Sequence, residues 1–324
     1  MTALSRSGLF SDMESIGLAV ILSEHTHPAP PGHPEKYERL ALVPSALERP
    51  EMHKITVRLD TNRYSIDLLL RVHDPAYING LEQYDSADIG YPDPDTYLCA
   101  TSFAASCDVT WAVLSGVDAA FGAGPRASFV LGRPPGHHAE SDHAMGFCLV
   151  NHVAVAAQYA IDHHGCRRVA VVDFDVHHGN GTQHTFYDRN DVLFISTHQP
   201  FYPGTGARTE QGRDAGMGFT VNFPFPAGTG DYELVGLFEG EISDILDRFE
   251  PELILVSAGF DGHQLDPLGG FMLTGQGYRR IGQALRRTAD RVCGSRLVSV
   301  LEGGYHPEGN VSSITNYITG LALA

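Results

Sequence analysis

Two carboxylates and two imidazoles follow an apolar run within six residues of the chain, in the segment VVDFDVHHGNG from Val171 to Gly181. Asp175 and His177 stand at positions i and i+2, so both side chains project to the same side of an extended segment. A carboxylate and an imidazole that converge in this way can bind a divalent cation. The spacing therefore predicts a metal site at the end of a strand.

A third ligand is expected at the end of another strand, where Asp261 in the segment SAGFDGH is the candidate. One imidazole with two carboxylates leaves a position open for water, as catalytic zinc requires. Fe2+ or Mn2+ would fit the same donors, because no thiolate biases the choice. Taken alone, Asp175 or Asp261 is more often a helix cap or turn residue, and His177 a loop histidine. Their combination favours a metal.

The composition limits the classes of function. The chain has 324 residues, 43% of them hydrophobic and 19% charged, and it has no apolar run of about 18 residues, so no membrane span is expected. Its N-terminus lacks a signal-peptide pattern, which predicts a cytoplasmic location. The formal charge of −17 argues against direct nucleic-acid binding and favours cationic ligands, although it also simply aids solubility. Five cysteines without a C-x-x-C pair are typical of reduced, buried thiols.

The elements that must position these residues alternate along the chain, which predicts an α/β protein with a mostly parallel sheet. No composition break divides the chain, so a single domain over residues 1–324 is predicted. The apolar runs predict strands at Leu18–Leu22, Ser128–Leu131, Val169–Phe174, Val192–Ser196, Leu253–Val256 and Leu297–Leu301. Helical patterns cover Tyr97–Leu114, Val150–His163, Tyr232–Arg248 and Gln276–Val292.

Ligands of such sheets bind beyond the carboxyl ends of the strands. Five segments just after predicted strands are rich in glycine, histidine and acid: GRPPGHH, DVHHGNG, THQPFYPGTG, SAGFDGHQLDPLGG and EGGYHPEG. Ten of the 17 histidines lie between His137 and His198. One edge of the sheet is therefore expected to carry an active centre.

These segments resemble the histone deacetylase family, in its class II branch with the bacterial histone deacetylase-like amidohydrolases. The resemblance runs from HPEKYERL at His33 to Tyr305 and beyond, through RPPGHHAESDHAMGFC, DFDVHHGNGTQ, PFYPGTG, SAGFDGHQLDPLGG and LEGGYHPE. It implies a single-domain, arginase-like α/β fold with a central eight-stranded sheet. It also implies Zn2+ held by Asp175, His177 and Asp261.

The resemblance further implies catalytic residues. His137 and His138 match the tandem histidines beside the zinc-bound water, and Asp173 matches the acid paired with the first of them. Tyr305 matches the tyrosine that polarises the substrate carbonyl. Class I enzymes carry an acid where Asn180 stands, and an asparagine should leave His138 less basic than a carboxylate would.

A substrate channel is implied as well, with aromatic walls suited to the stem of an acyl-lysine. Its residues are Gly146, Phe147, Tyr202, Leu268, Gly303 and Gly304, although Phe147 alone could be core and the two later glycines a turn. Asp93 or Asp95 is the candidate for holding a peptide backbone, and a Pro-Asp turn explains that stretch equally well. Family members also bind structural K+, here near Asp173, Asp175, His177, Ser196 and Thr197.

The sequence thus predicts a zinc-dependent deacetylase acting on acetylated lysine of a peptide or protein. An acetylpolyamine amidohydrolase is the first alternative, and Leu268 argues against it, because polyamine-selective relatives tend to place an acid at the channel mouth. A catalytically silent acyl-lysine binder is the second alternative, disfavoured because every ligand and Tyr305 are present. The N-terminal 50 residues could cap the channel or contact another subunit, which leaves a homo-oligomer open.

Overall fold

The computed structural model describes residues 18–23 and 26–324. Residues 1–17 of the N-terminal segment that was expected to cap the channel or contact another subunit lie outside the described residues.

An eight-stranded sheet forms the centre of the fold, and all of its neighbouring strands pair in parallel. The strands are β1 (Leu18–Leu22), β2 (Val57–Arg58), β3 (Gly90–Asp93), β4 (Thr96–Leu98), β5 (Ala127–Leu131), β6 (Val169–Asp173), β7 (Val192–His198), β8 (Thr220–Pro224), β9 (Leu253–Ala258) and β10 (Leu297–Leu301). The sheet order is β2-β1-β5-β10-β9-β6-β7-β8, and β3 pairs with β4 in a separate antiparallel hairpin. The predicted fold class is confirmed.

All six predicted strands are present, and β1 and β10 have the predicted bounds. The prediction missed β2, β8 and the hairpin. The segment TVNFP of β8 contains Asn222 and ends at Pro224, so it lacks the continuous apolar run of a buried strand. Both β2 and β8 are edge strands of the sheet, so each pairs with a neighbouring strand on one side only.

Helices flank the sheet. They are α1 (Val43–Leu47), α2 (Pro50–His53), α3 (Pro75–Glu82), α4 (Ser102–Phe121), α5 (His152–His164), α6 (Asn180–Phe186), α7 (Asp231–Leu237), α8 (Ser243–Phe249), α9 (Gly275–Val292) and α10 (Pro307–Ala322). The helix predicted from Tyr97 was wrong at its start, because Tyr97 belongs to β4. The predicted Tyr232–Arg248 helix is interrupted by a π-helical turn at Phe238–Ile242. In the described part of the chain, no helix is long and apolar enough to cross a membrane.

In the six inner strands of the sheet, residues on opposite faces enter different hydrophobic clusters. Ala170 and Val172 of β6 belong to one cluster, together with residues of α9 and α10. Val169 and Val171 belong to the other, together with residues of α4 and α5. This alternation is expected for a strand buried on both faces, and the apolar character of β6 follows from it. Because all eight strands run the same way, their carboxyl ends meet at one edge of the sheet.

Candidate active site

The three predicted metal ligands lie together at that edge. Their ligand atoms lie within 4.8 Å of one another. His177 Nδ1 is 3.0 Å from Asp175 Oδ1 and 3.2 Å from Asp261 Oδ2. β6 and β9 are neighbours in the sheet, so the loops that follow them bring Asp175 and Asp261 together across 86 residues of sequence.

Two observations show that a cation suits these donors. Asp261 Oδ2 is buried and accepts no hydrogen bond from the described residues, which is costly for a carboxylate oxygen without a bound cation. The two carboxylates also affect each other: burial and the charge of Asp175 raise the pKa of Asp261 to about 7. A divalent ion would give Asp261 Oδ2 a partner in place of the missing hydrogen bond and offset the repulsion between the two acids. The residues present therefore fit a metal.

The remaining carboxylate oxygens are held by backbone N–H groups. Val176 N donates to Asp261 Oδ1 at 2.9 Å, and Gly303 N donates to Asp175 Oδ2 at 2.8 Å. A side chain at Gly303 would overlap both Asp175 Oδ2 and Asp261 Oδ2. The glycine is thus required for space beside the predicted ligands, and not only for a turn.

The tandem histidines lie next to the predicted ligands, each with a different partner. His137 Nδ1 lies 2.9 Å from Asp173 Oδ2, and His138 Nδ1 lies 2.7 Å from Asn180 Oδ1. His137 Nε2 is 3.8 Å from Asp175 Oδ1. Both histidine partners are those that the sequence predicted.

The pKa values of the two imidazoles shift in opposite directions. Burial lowers the pKa of His137, but the charges of Asp173 and Asp175 outweigh it and raise that pKa to about 10. Burial lowers the pKa of His138 well below its ordinary value, and the charges of His137 and His177 add to the effect. A weakly basic His138 agrees with the sequence expectation, but the main cause is burial, since the hydrogen bond to Asn180 acts in the opposite sense.

Glu302 supports the tandem histidines and was missed by the sequence analysis. Its buried carboxylate accepts hydrogen bonds from Gly136 N at 2.6 Å, His137 N at 3.2 Å and Ser257 Oγ at 3.0 Å. Glu302 stands in the quoted segment LEGGYHPE, and an acid directly after a buried strand was the available signal. It fixes the backbone that carries both imidazoles.

A second group of ligand-type side chains, His137, Cys148 and Glu302, also brings its atoms within 4.8 Å of one another. This group suits a metal poorly. The Glu302 oxygens already accept three hydrogen bonds, and burial raises the pKa of Cys148 well above its ordinary value, which disfavours the thiolate that a metal needs.

Tyr305 is held by its backbone and its ring. Its backbone N–H donates to Asp266 Oδ2 at 2.6 Å, and the Arg39 guanidinium lies 5.3 Å from the centre of its ring. Arg39 also donates to the carbonyl oxygens of Gly304 and Glu302, at 2.9 and 3.0 Å. Burial raises the pKa of the Tyr305 phenol well above its ordinary value, so the hydroxyl stays a donor. The sequence analysis missed both Arg39 and Asp266.

Residues 33–321 match the family model of the histone deacetylase domain. The chain belongs to the histone deacetylase family.

Known members of the histone deacetylase family align with most of the chain. It is 40% identical over 304 residues to "Histone deacetylase 10, chloroplastic" of Oryza sativa subsp. japonica, covering 88% of this chain and 68% of the relative. It is 37% identical over 283 residues to the "Histone deacetylase-like amidohydrolase" of Pseudomonas aeruginosa, covering 86% and 74%. The solved HDA15 HD domain superposes with a TM-score of 0.86 at 34% identity, covering 95% of this chain and 88% of that one.

Three of the predicted channel residues of this histone deacetylase family member, Gly146, Phe147 and Tyr202, lie beside His138 or Tyr305. The Phe147 ring packs edge-on against Tyr305 at 5.7 Å between centroids, and the Tyr202 ring packs edge-on against His138 at 5.2 Å. Gly146 and Phe147 both have positive φ, 56° and 68°. This conformation is costly for Phe147, and a side chain at Gly146 would overlap the His138 ring.

The β3–β4 hairpin holds both channel walls through Asp95 and Thr96. Asp95 Oδ1 accepts from Gly146 N at 3.1 Å, and Asp95 Oδ2 accepts from the Tyr202 hydroxyl at 3.3 Å. Thr96 Oγ1 accepts from Phe147 N at 2.9 Å. Asp93 and Asp95 were the candidates for holding the backbone of a substrate peptide. Asp95 is therefore already hydrogen-bonded to residues of this chain.

Leu268 and Gly304 lie near Tyr305. Leu268 is 36% exposed, in the turn whose Asp266 carboxylate binds the Tyr305 backbone. Gly304 has φ 117°, which only glycine adopts readily. The predicted potassium ligands adjoin the metal site, with Asp173 and Ser196 directly opposite each other on β6 and β7. Ser196 Oγ lies 2.8 Å from His198 Nδ1.

Replacing Gly303 by alanine should weaken metal binding at least about tenfold while the sheet stays folded, because the new methyl group would displace the two carboxylates. Metal affinity can be measured by competition with a chromogenic chelator, and folding by circular dichroism. Gly236→Ala is the matched control, since nothing lies within 4 Å of its added methyl group. Unchanged metal affinity in Gly303→Ala would contradict the assignment.

Proposed function

We propose that this protein is a zinc-dependent amidohydrolase that removes acetyl groups from lysine side chains of a peptide or protein. The observation that carries the proposal is that three convergent ligands, Asp175, His177 and Asp261, lie beside a buried imidazole. The ring centre of that imidazole, His138, is 6.0 Å from the ring centre of His177, and its pKa is well below its ordinary value. Membership of the histone deacetylase family and the names of its relatives support the same reaction.

Amide hydrolysis needs a nucleophile, stabilisation of the developing oxyanion and a proton for the leaving amine. A divalent metal bound by the three ligands would lower the pKa of a water and polarise the substrate carbonyl. His138, neutral because of its burial, accepts a proton from the attacking water at Nε2 and returns it to the leaving amine. His137 stays protonated between Asp173 and Asp175 and contributes positive charge.

Tyr305 and the aromatic walls complete the chemistry. The protonated phenol donates a hydrogen bond to the carbonyl oxygen as negative charge develops there. Phe147 and Tyr202 offer ring faces to a four-carbon stem that needs no polar partner. The products are acetate and a free lysine amine.

The test compares two substrates on one preparation. The chain loaded with Zn2+ should hydrolyse an acetyl-lysine peptide with kcat/KM at least about tenfold above that for N-acetylputrescine, because Leu268 supplies no acid for a distal ammonium. Chelator-treated protein is the control, with activity restored by Zn2+ and, in a parallel sample, by Fe2+. Preference for N-acetylputrescine would support the polyamine reaction instead. No hydrolysis of either substrate in loaded protein would support a silent binder.

Further proposals accompany this function. We infer that residues 1–324 act as one catalytic domain and that K+ binds near Asp173 and Ser196 as a structural ion. We also infer that the protein binds an acetylated substrate and does not bind nucleic acid directly, because its formal charge of −17 would repel a polyanion. The cytoplasmic location and the oligomeric state stay predictions. Two plant relatives are named chloroplastic, so cell fractionation is the suitable test of location.

A further inference from the structure

A hydrogen-bonded chain leads from His138 outward to the surface. Asn180 Oδ1 lies 2.7 Å from His138 Nδ1, and the Asn180 amide nitrogen donates to the Glu140 carboxylate. Glu140 Oε1 also lies 2.8 Å from His184 Nδ1. Asn180 is 2% exposed, the Glu140 side chain 12% and the His184 side chain 49%. Nothing in the proposed reaction uses Glu140 or His184 directly.

The amide of Asn180 can present two different groups to His138. With Oδ1 toward the imidazole, His138 Nδ1 must be the donor, and Nε2 keeps the lone pair that a base needs. With the amide rotated by half a turn, its N–H group would face Nδ1. The proton of the neutral ring would then sit on Nε2, where it blocks the base.

The surroundings of Asn180 fix the first orientation. Its nitrogen faces three acceptors: the Glu140 carboxylate, the His138 carbonyl oxygen at 3.3 Å and the Met145 sulfur at 3.2 Å. Rotation would bring Oδ1 against the Glu140 carboxylate, and two acceptors without a proton between them repel. The carbonyl contact is long at 3.3 Å and a thioether sulfur is a weak acceptor, so the charged Glu140 carboxylate supplies most of the preference.

We propose that Glu140 is a positioning residue for the reaction: it fixes the orientation of the Asn180 amide and thereby the tautomer of His138. This inference rests on the proposed function, in which His138 is the base. An acid at position 180 would accept from His138 whichever way it turned and would need no such support. Because position 180 holds an amide, the neighbouring carboxylate becomes necessary.

The kinetic test uses two backgrounds. In the full chain with Asn180, Glu140→Ala should lower kcat about 10- to 100-fold with little change in KM. Glu140→Gln keeps an acceptor oxygen and should stay within about threefold of the parent. In the Asn180→Asp background, Glu140→Ala should leave kcat unchanged or raise it, because removing Glu140 there relieves repulsion between two acids. Equal losses in both backgrounds would indicate a general structural role and overturn the inference.

The tautomer itself gives a readout that does not need activity. Nitrogen chemical shifts of 15N-histidine distinguish a proton on Nδ1 from one on Nε2, and His138→Gln identifies the signal. The parent and Glu140→Gln should show Nδ1–H, whereas Glu140→Ala should show Nε2–H or a mixture. Retention of Nδ1–H in Glu140→Ala would overturn the inference. An inactive parent would instead count against the proposed function, and the shifts would still report on Glu140.

Discussion

Replacing His177 by alanine should abolish stoichiometric metal binding and lower kcat/KM at least about 10³-fold. His177 Nδ1 lies within 3.2 Å of both predicted carboxylate ligands, so its loss leaves only two acids for the ion. Two buried carboxylates without a cation between them repel, and the variant should also lose stability. Metal content after desalting and kcat/KM on the acetyl-lysine peptide are the measurements.

Asp261→Asn separates metal loss from unfolding. It keeps the shape of Asp261 and removes the charge that repels Asp175, so the chain should stay folded while metal binding falls. In the parent, saturating metal at about 1,000 times Kd should stabilise the fold by about 4 kcal/mol, and in this variant the thermal shift should shrink. His163→Ala, an exposed histidine on α5, is the control for histidine removal. If His177→Ala or Asp261→Asn still bound one equivalent of metal tightly, that result would contradict the proposed metal site.

Replacing Tyr305 by phenylalanine should lower kcat about 10²- to 10³-fold, the typical cost of removing one donor to a developing oxyanion. The substrate stem would still contact the same ring, so KM should change little. In the described part of the chain the Tyr305 hydroxyl makes no hydrogen bond, so its removal leaves no partner unsatisfied. The free energy of unfolding should therefore stay within about 0.5 kcal/mol of the parent.

Steady-state kinetics with the acetyl-lysine peptide, together with denaturant unfolding, check this prediction. Tyr232→Phe is the matched control, because the Tyr232 side chain is 88% exposed. A Tyr305→Phe variant that keeps more than about half of the parental kcat would mean that another group stabilises the oxyanion.

Periodicity and motif spacing predicted much of this protein. The apolar runs predicted the buried strands because a strand covered on both faces needs apolar residues throughout, as in β6. The polar segments after those strands indicated the edge at which Asp175, His177 and Asp261 meet, since parallel strands share a carboxyl edge. The sequence analysis did not predict the edge strand β8, because a partly exposed strand lacks a continuous apolar run.

The tertiary structure alone decided which distant side chains support the site. Arg39 reaches Gly304 across 265 positions, Glu302 reaches the backbone of His137 across 165, and Glu140 reaches Asn180 across 40. The sheet order is not sequential, so these contacts depend on how the strands pack and not on local pattern. Burial likewise set the pKa of His138 more than its hydrogen-bond partner did, and burial is a property of the whole fold. The sequence therefore determined the reactive groups and their shared edge, while the packing of the chain determined their protonation and orientation.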